Sequence, residues 1–316
     1  MLTLQHLYFL AGLLLVVVAL LSAQDSSNPK RWSSALFWGS YGALFLIGQH
    51  LPPALVGVVV VMMALLAGFG ALGSGRHPAL PERLRRLKAK RLGNGLFVPA
   101  LAIPLLTVLL ALTLKEVSVL GRPLLDSANV TLLSLGIACV LALPLCLRMT
   151  GDTPAQSMTE TCRLLEAMGW AVMLPQLLAT LGLVFTEAGV GRAIADLSTH
   201  YLAVDNRVVA VTAYVFGMAL FTMIMGNAFA AFPVITAGIG LPILVGQHHG
   251  DAAVMAAIGM FSGYCGTLIT PMAANFNIVP AALLELPDKN AVIKVQWQTA
   301  LPLLLVNILL LYFLMF

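Results

Sequence analysis

The sequence predicts an all-α polytopic membrane protein with about eight spans, one of them a broken helix, plus a re-entrant helical hairpin, its N-terminus outside. Three observations predict it. Of the 316 residues, 60% are hydrophobic and 9% charged, more apolar surface than a water-soluble globule of this size can hide. Apolar runs of spanning length recur from end to end, without the alternating pattern of a membrane β-barrel. Two long apolar segments near the C-terminus are interrupted by glycine, proline and asparagine, the marks of helices that break inside a membrane.

The first run, residues 4–23, is too long for the core of a cleaved leader, and residues 1–6 carry no lysine or arginine, so it is expected to remain as a span. A shorter run over 37–48 and a longer one over 53–72 follow. Next, RHPALPERLRRLKAKR places Arg76, Arg83, Arg85, Arg86, Lys88, Lys90 and Arg91 between two spans, which assigns the loop 74–94 to the cytoplasm. Threading the chain from there puts Lys30, Arg31, Arg148, Arg163, Lys289 and Lys294 inside, with Trp32, Trp170 and Trp297 at the cytoplasmic interface. As a topology determinant this loop needs no nucleic acid, and the net charge of +4 calls for no acidic partner. Runs over 96–114 and 132–147 complete an N-terminal helical scaffold, residues 1–150.

TPAQ, residues 153–156, reads as a helix start: threonine caps free amides, proline suits the first turn and glutamine reaches back. It opens a second unit, residues 151–316, organised as a transport-type repeat. Its first span, 169–186, contains Gln176, which either reaches a site or bonds across a helix interface, and ends at Glu187, either solvated or at a cavity mouth. Over 190–204, Val190, Ile194, Leu197 and Tyr201 share one helical face, while Arg192, Asp196 and His200 lie elsewhere, the pattern of an interfacial helix.

Residues 207–246 are too long for one span and are broken near Gly226, Asn227 and Pro233; a re-entrant hairpin whose tip is Gly226, Asn227 and Ala228 accounts for them. Residues 251–285 form a broken helix around GTLITPMAANFN, where Gly266 permits unusual dihedrals and Pro271 lacks an amide proton. Unwound backbone at membrane depth is tolerated only against protein or a water-filled cavity, so Thr267, Thr270, Asn275 and Asn277 converge on something polar. The alternative is a Pro-kinked packing helix whose asparagines bond to neighbours. Uncharged oxygens suit a sodium ion, at Asn227, Thr270 and Asn275, and freed helix N-termini suit an anion. A final span covers 298–316.

Other chemistries lack their residues. Cys139, Cys146, Cys162 and Cys265 show neither CxxC spacing nor a companion histidine cluster, so neither zinc nor a disulfide framework is indicated. His248, His249 and Asp251 look like a metal cluster but read as a solvated loop. Ser262, near Tyr264 and Cys265, has no histidine nearby in sequence, and HExxH, phosphate-loop and GxSxG patterns are missing, so no enzyme and no cofactor beyond sodium are expected. The apolar stretches 208–246 and 252–284 contain no Asp or Glu, which disfavours a carboxylate proton relay.

At these residues the chain resembles the ion transporter superfamily, which includes the divalent-anion/sodium symporters. That resemblance implies, over residues 165–316, an interfacial helix, a re-entrant hairpin and a broken helix in this order. Asn227 matches the hairpin asparagine, while Gly226 and Ala228 stand where a serine and a threonine are expected; Thr270, Pro271 and Asn275 or Asn277 match the second loop. Through MGNAFAAFPVITAGIG, GTLITPMAANFNIVPAALLEL and LGNGLFVPALAIP the whole chain looks like a bacterial membrane family catalogued as domain of unknown function 979. Members of that family tend to be encoded beside a second, shorter membrane protein, often near pyroglutamyl peptidase genes. The resemblance therefore implies a two-subunit permease of the bacterial inner membrane for a small carboxylate such as pyroglutamate or a di- or tricarboxylate. The alternative is a non-transporting membrane scaffold or regulatory subunit. A superfamily site takes two hairpin repeats; GNGLFVP at 93–99 echoes GNAFAAFP at 226–233 as a degenerate first copy, or the second repeat comes from another chain, a copy of this one or the shorter partner.

Overall fold

The computed structural model describes residues 1–75, 82–115, 117–119 and 122–316. Of the basic loop, Arg76 lies outside the described residues. The chain divides into two compact units, Met1–Glu166 and Ala167–Phe316. Among the described residues seven helices are long and apolar enough to cross a membrane, and the chain is a helical, multi-pass membrane protein.

The first unit comprises α1 (Leu4–Gln24), α2 (Arg31–Ile47), α3 (Pro53–Gly68), α4 (Glu82–Leu92), α5 (Phe97–Leu114), α6 (Val130–Thr150) and most of α7 (Pro154–Met168), which runs across the division. A two-residue antiparallel pair, Ser118–Val119 with Arg122–Pro123, lies between α5 and α6. Helices α1 and α2 pack together, burying Val18, Phe37 and Trp38. Helix α5 carries large apolar side chains into the open, Leu105 at 70% exposure and Leu112 at 74%. Such a surface would aggregate in water and is at home against hydrocarbon.

The carboxylate of Glu166 is buried where α7 meets the end of α1. It stays there because donors surround it: the Ser22 hydroxyl donates to one oxygen and the Gly75 amide to the other at 3.0 Å. The Asn28 amide donates to the Gly73 carbonyl at 2.9 Å, so the segment after α3 is held against this corner.

The α7 start follows its local sequence. The Thr153 amide donates to Gln156 Oε1 at 2.7 Å and the Gln156 amide to Thr153 Oγ1 at 3.3 Å, a reciprocal cap on free amides. Beside it, Lys88 Nζ donates to Asp152 Oδ1 at 2.5 Å. That bond holds the Asp152 carboxyl below its ordinary value of 3.8. A depressed acid stabilises the fold above its unfolded-state pKa, and that contribution fades as pH falls through the folded value, here below 3.8. Both side chains are partly solvated, so Asp152→Asn is expected to cost only about 0.2–1 kcal/mol at neutral pH and nothing in strong acid. Denaturation of the two proteins in detergent across pH 2.5–7, roughly the range over which a carboxylate titrates, checks this.

The second unit comprises α8 (Leu174–Glu187), α9 (Val190–Tyr201), α10 (Arg207–Met225), α11 (Ala228–Ile235), α12 (Ala252–Leu268), α13 (Val279–Leu283) and α14 (Ala291–Met315). Helix α11 runs directly into a π-helical stretch, Thr236–Gln247, and a shorter π turn, Ala274–Ile278, precedes α13. Asn206 caps α10 by accepting from the Val208 amide, and Asp251 caps α12 by accepting from the amides of Ala253 and Val254. Asp251 is thus engaged in a cap, and His248 Nε2 lies 2.7 Å from the Val204 carbonyl. The core is formed by Tyr214, Val215, Met218, Leu244, Met255 and Leu311.

Helix α9 is amphipathic as the sequence predicts, but its apolar face is divided: Ile194 packs against the core beside Gly238, while Leu197 is 57% exposed and Tyr201 75%. Its small side, Gly191 and Ser198, is the buried one, and Gly191 lies against Gly238 of the π-helical stretch. In lipid, close packing of small residues holds helices together, so large apolar groups are released outward.

Candidate functional site

Helix α10 and the α11 arm fold back on one another. Gly217 lies against Ile235 and Ile239, and the Tyr214 hydroxyl is 3.3 Å from that of Thr236. The reversal is made by Gly226, at φ 67, where its amide closes on the Thr222 carbonyl at 2.7 Å, and by Asn227, whose Oδ1 accepts from the Phe229 amide at 2.9 Å to cap α11. The arms, Arg207–Met225 and Ala228–Gln247, are 19 and 20 residues long.

Helix α12 stops at Leu268, and regular helix resumes only with α13 at Val279. Between them Pro271 supplies no donor, so α12 cannot continue its ladder. Asn277 compensates. Its buried Nδ2 donates to the carbonyls of Thr267 at 2.9 Å and Thr270 at 2.6 Å, satisfying acceptors that the lost turn released.

The two interruptions meet. Thr270 Oγ1 donates to the Met223 carbonyl at 2.8 Å, and in turn accepts from the Met272 amide at 3.2 Å. Gly226 is so close to the break that an added Cβ would sit 2.4 Å from the Met272 carbonyl oxygen. One turn back, Gly266 lets α12 lie directly on α10, since a Cβ there would be 2.3 Å from the Ala219 carbonyl. A serine in place of Gly226 could not make this approach without moving backbone.

The structure thus brings Gly226, Asn227, Ala228, Gly266, Thr267, Thr270, Pro271 and Asn277 to one junction. Asn275 is exposed and takes no part in the hydrogen bonds there. Gln176 is exposed on α8, and Glu187 is exposed at its end, lining a separate cavity. The Asn227 oxygen is occupied by its cap and Thr267 Oγ1 by a bond to the Tyr264 carbonyl at 2.6 Å.

Among the described residues, two of the buried oxygens without a hydrogen-bond partner lie on the elements of this junction: Asn277 Oδ1 and Thr222 Oγ1. Thr222 lies on α10 beside Gly263 of α12, a turn before the tip. Sequence reading passed over it, since threonine inside a membrane helix commonly bonds back to its own backbone, as Thr180 and Thr186 do here. An unpaired buried oxygen costs free energy unless something fills the need.

The echo at 93–99 is built differently. Gly93 also has positive φ, but a short 3-10 turn, Gly93–Leu96, joins α4 to α5, and the span Arg86–Leu114 runs through it.

Fold and junction define a helical multi-pass membrane protein with a helical hairpin whose tip is bonded to a broken helix. The chain belongs to the family described as protein of unknown function (DUF979), whose model matches residues 5–316. No curated protein and no solved structure matches the chain.

Proposed function

We propose that the protein is a secondary transporter, or one subunit of a two-component permease, moving a small carboxylate such as pyroglutamate or a di- or tricarboxylate by alternating access. The observation that carries this reading is the bond between the break and the tip, Thr270 Oγ1 to the Met223 carbonyl, beside buried oxygens left without partners. Broken helices that expose main chain to one another are how transporters of several folds hold ions and anions.

In this reading sodium takes an oxygen at Thr270, with Asn277 Oδ1 and Thr222 Oγ1 supplying buried ones, since the Asn227 oxygen caps α11 and Asn275 is exposed. The substrate carboxylate lies against the amides that start α11, where the helix dipole favours an anion. Kinship with the ion transporter superfamily, a bacterial inner-membrane location, an external N-terminus and a re-entrant hairpin belong to the same proposal. The missing second hairpin would come from a shorter partner protein or a second copy of the chain.

Sodium-dependent uptake into proteoliposomes, with and without that partner, tests the proposal. Asn227→Ala removes a cap worth about 1 kcal/mol, too little to unfold the protein, so uptake should fall at least about tenfold while insertion stays normal. Wild-type uptake by the variant contradicts a role for the tip, and no uptake of any carboxylate with either subunit set favours a scaffold.

A further inference from the structure

A cavity of about 320 Å³ lies away from the tip and the break, where the end of α8 turns into α9. Gly189, at φ 73, makes the reversal, so that Glu187 before it and Arg192 after it both line the space, with Pro233, Val234 and Ala237 of the hairpin arm behind them. Among the described residues neither charge has an ion-pair partner within 4.0 Å, the other one included.

Where this cavity sits matters. Glu187 closes α8 and, with it, an apolar stretch long enough to cross a membrane, an end that would set the cavity at the level of lipid headgroups in a bilayer. One turn earlier on α8, Leu183 and Val184 are 68% and 54% exposed, an apolar flank leading to the cavity mouth.

We propose that this cavity binds the headgroup of a zwitterionic phospholipid with a primary ammonium, phosphatidylethanolamine, its acyl chains lying along the α8 flank. The Arg192 guanidinium and the first-turn amides of α9 suit the phosphate, since arginine reads phosphate in two directions at once and a helix start favours an anion. The Glu187 carboxylate suits the ammonium, which donates hydrogen bonds that a choline headgroup lacks. A phosphatidylglycerol would leave Glu187 facing phosphate with no cation between. The site is independent of the transport reading, and it stands or falls by lipid binding alone.

Native mass spectrometry of the full chain, extracted from vesicles of equal phosphatidylethanolamine, phosphatidylcholine and phosphatidylglycerol, tests it. Phosphatidylethanolamine should be retained about tenfold over either of the others. Glu187→Gln should abolish that preference, Arg192→Gln should weaken retention of all three, and Arg192→Lys should restore part of it. Both side chains are exposed, so the variants are expected to fold, which a melting curve confirms. Equal retention of the three lipids by the wild type, or unchanged retention in both glutamine variants, overturns the proposal. So does phosphoethanolamine binding to lipid-depleted protein as tightly as the intact lipid, which would make a soluble zwitterion the ligand.

Discussion

Gly226→Ala is expected to lose most uptake and to lower stability by more than about 2 kcal/mol, although it adds one methyl group. Two effects combine. At φ 67 an L-residue with a Cβ is strained by about 1–2 kcal/mol, and the new methyl would sit 2.4 Å from the Met272 carbonyl oxygen, closer than contact allows. Backbone must yield, either by opening the tip or by pushing the break away from it, and the bond from Thr270 to Met223 is lost with the approach. Uptake and detergent unfolding measured on the same preparations decide the matter. An alanine protein that melts and transports like the wild type would mean that tip and break do not touch in the working molecule.

Asn277→Leu is expected to be the other severe change. Leucine keeps the branched shape but is bulkier, and the carbonyls of Thr267 and Thr270 both lose their donor inside the protein. Each buried acceptor left bare costs about 1–3 kcal/mol. Asn277→Asp separates structure from ion binding: when protonated it retains one donor, so it should fold better than the leucine variant. Ranking the three proteins by denaturant midpoint in detergent checks this, with wild type highest, aspartate between and leucine lowest. Leucine matching the wild type would remove Asn277 from its place in the break.

Much of this architecture could be read from composition because the rules are local. The α7 cap needs only threonine, proline and glutamine in a row, and the structure has their reciprocal bonds. Gly226, Asn227 and Pro271 announced two interruptions by their backbone chemistry alone. That the interruptions face each other follows from packing, which periodicity does not encode. The same blindness explains α9: a hydropathy stripe says that Leu197 and Tyr201 are apolar, but in a membrane those two face outward while Gly191, Ile194 and Ser198 make the contact. The π-helical stretch after α11 also left no advance signal, since TAGIGLPILVGQ reads as an ordinary apolar helix with one proline. Thr222 stayed hidden for a subtler reason, because only its lack of a partner distinguishes it from other membrane threonines.

A solute route to the break is most directly tested by chemical labelling at Asn275, which is exposed, lies within the break and tolerates change because it holds none of the junction's bonds. In a background with the four native cysteines replaced, Asn275→Cys should react with a membrane-impermeant maleimide, and sodium together with pyroglutamate or citrate should slow that reaction. Reaction only with a lipid-soluble maleimide, indifferent to sodium and to every carboxylate tried, would place the break against lipid and contradict the account.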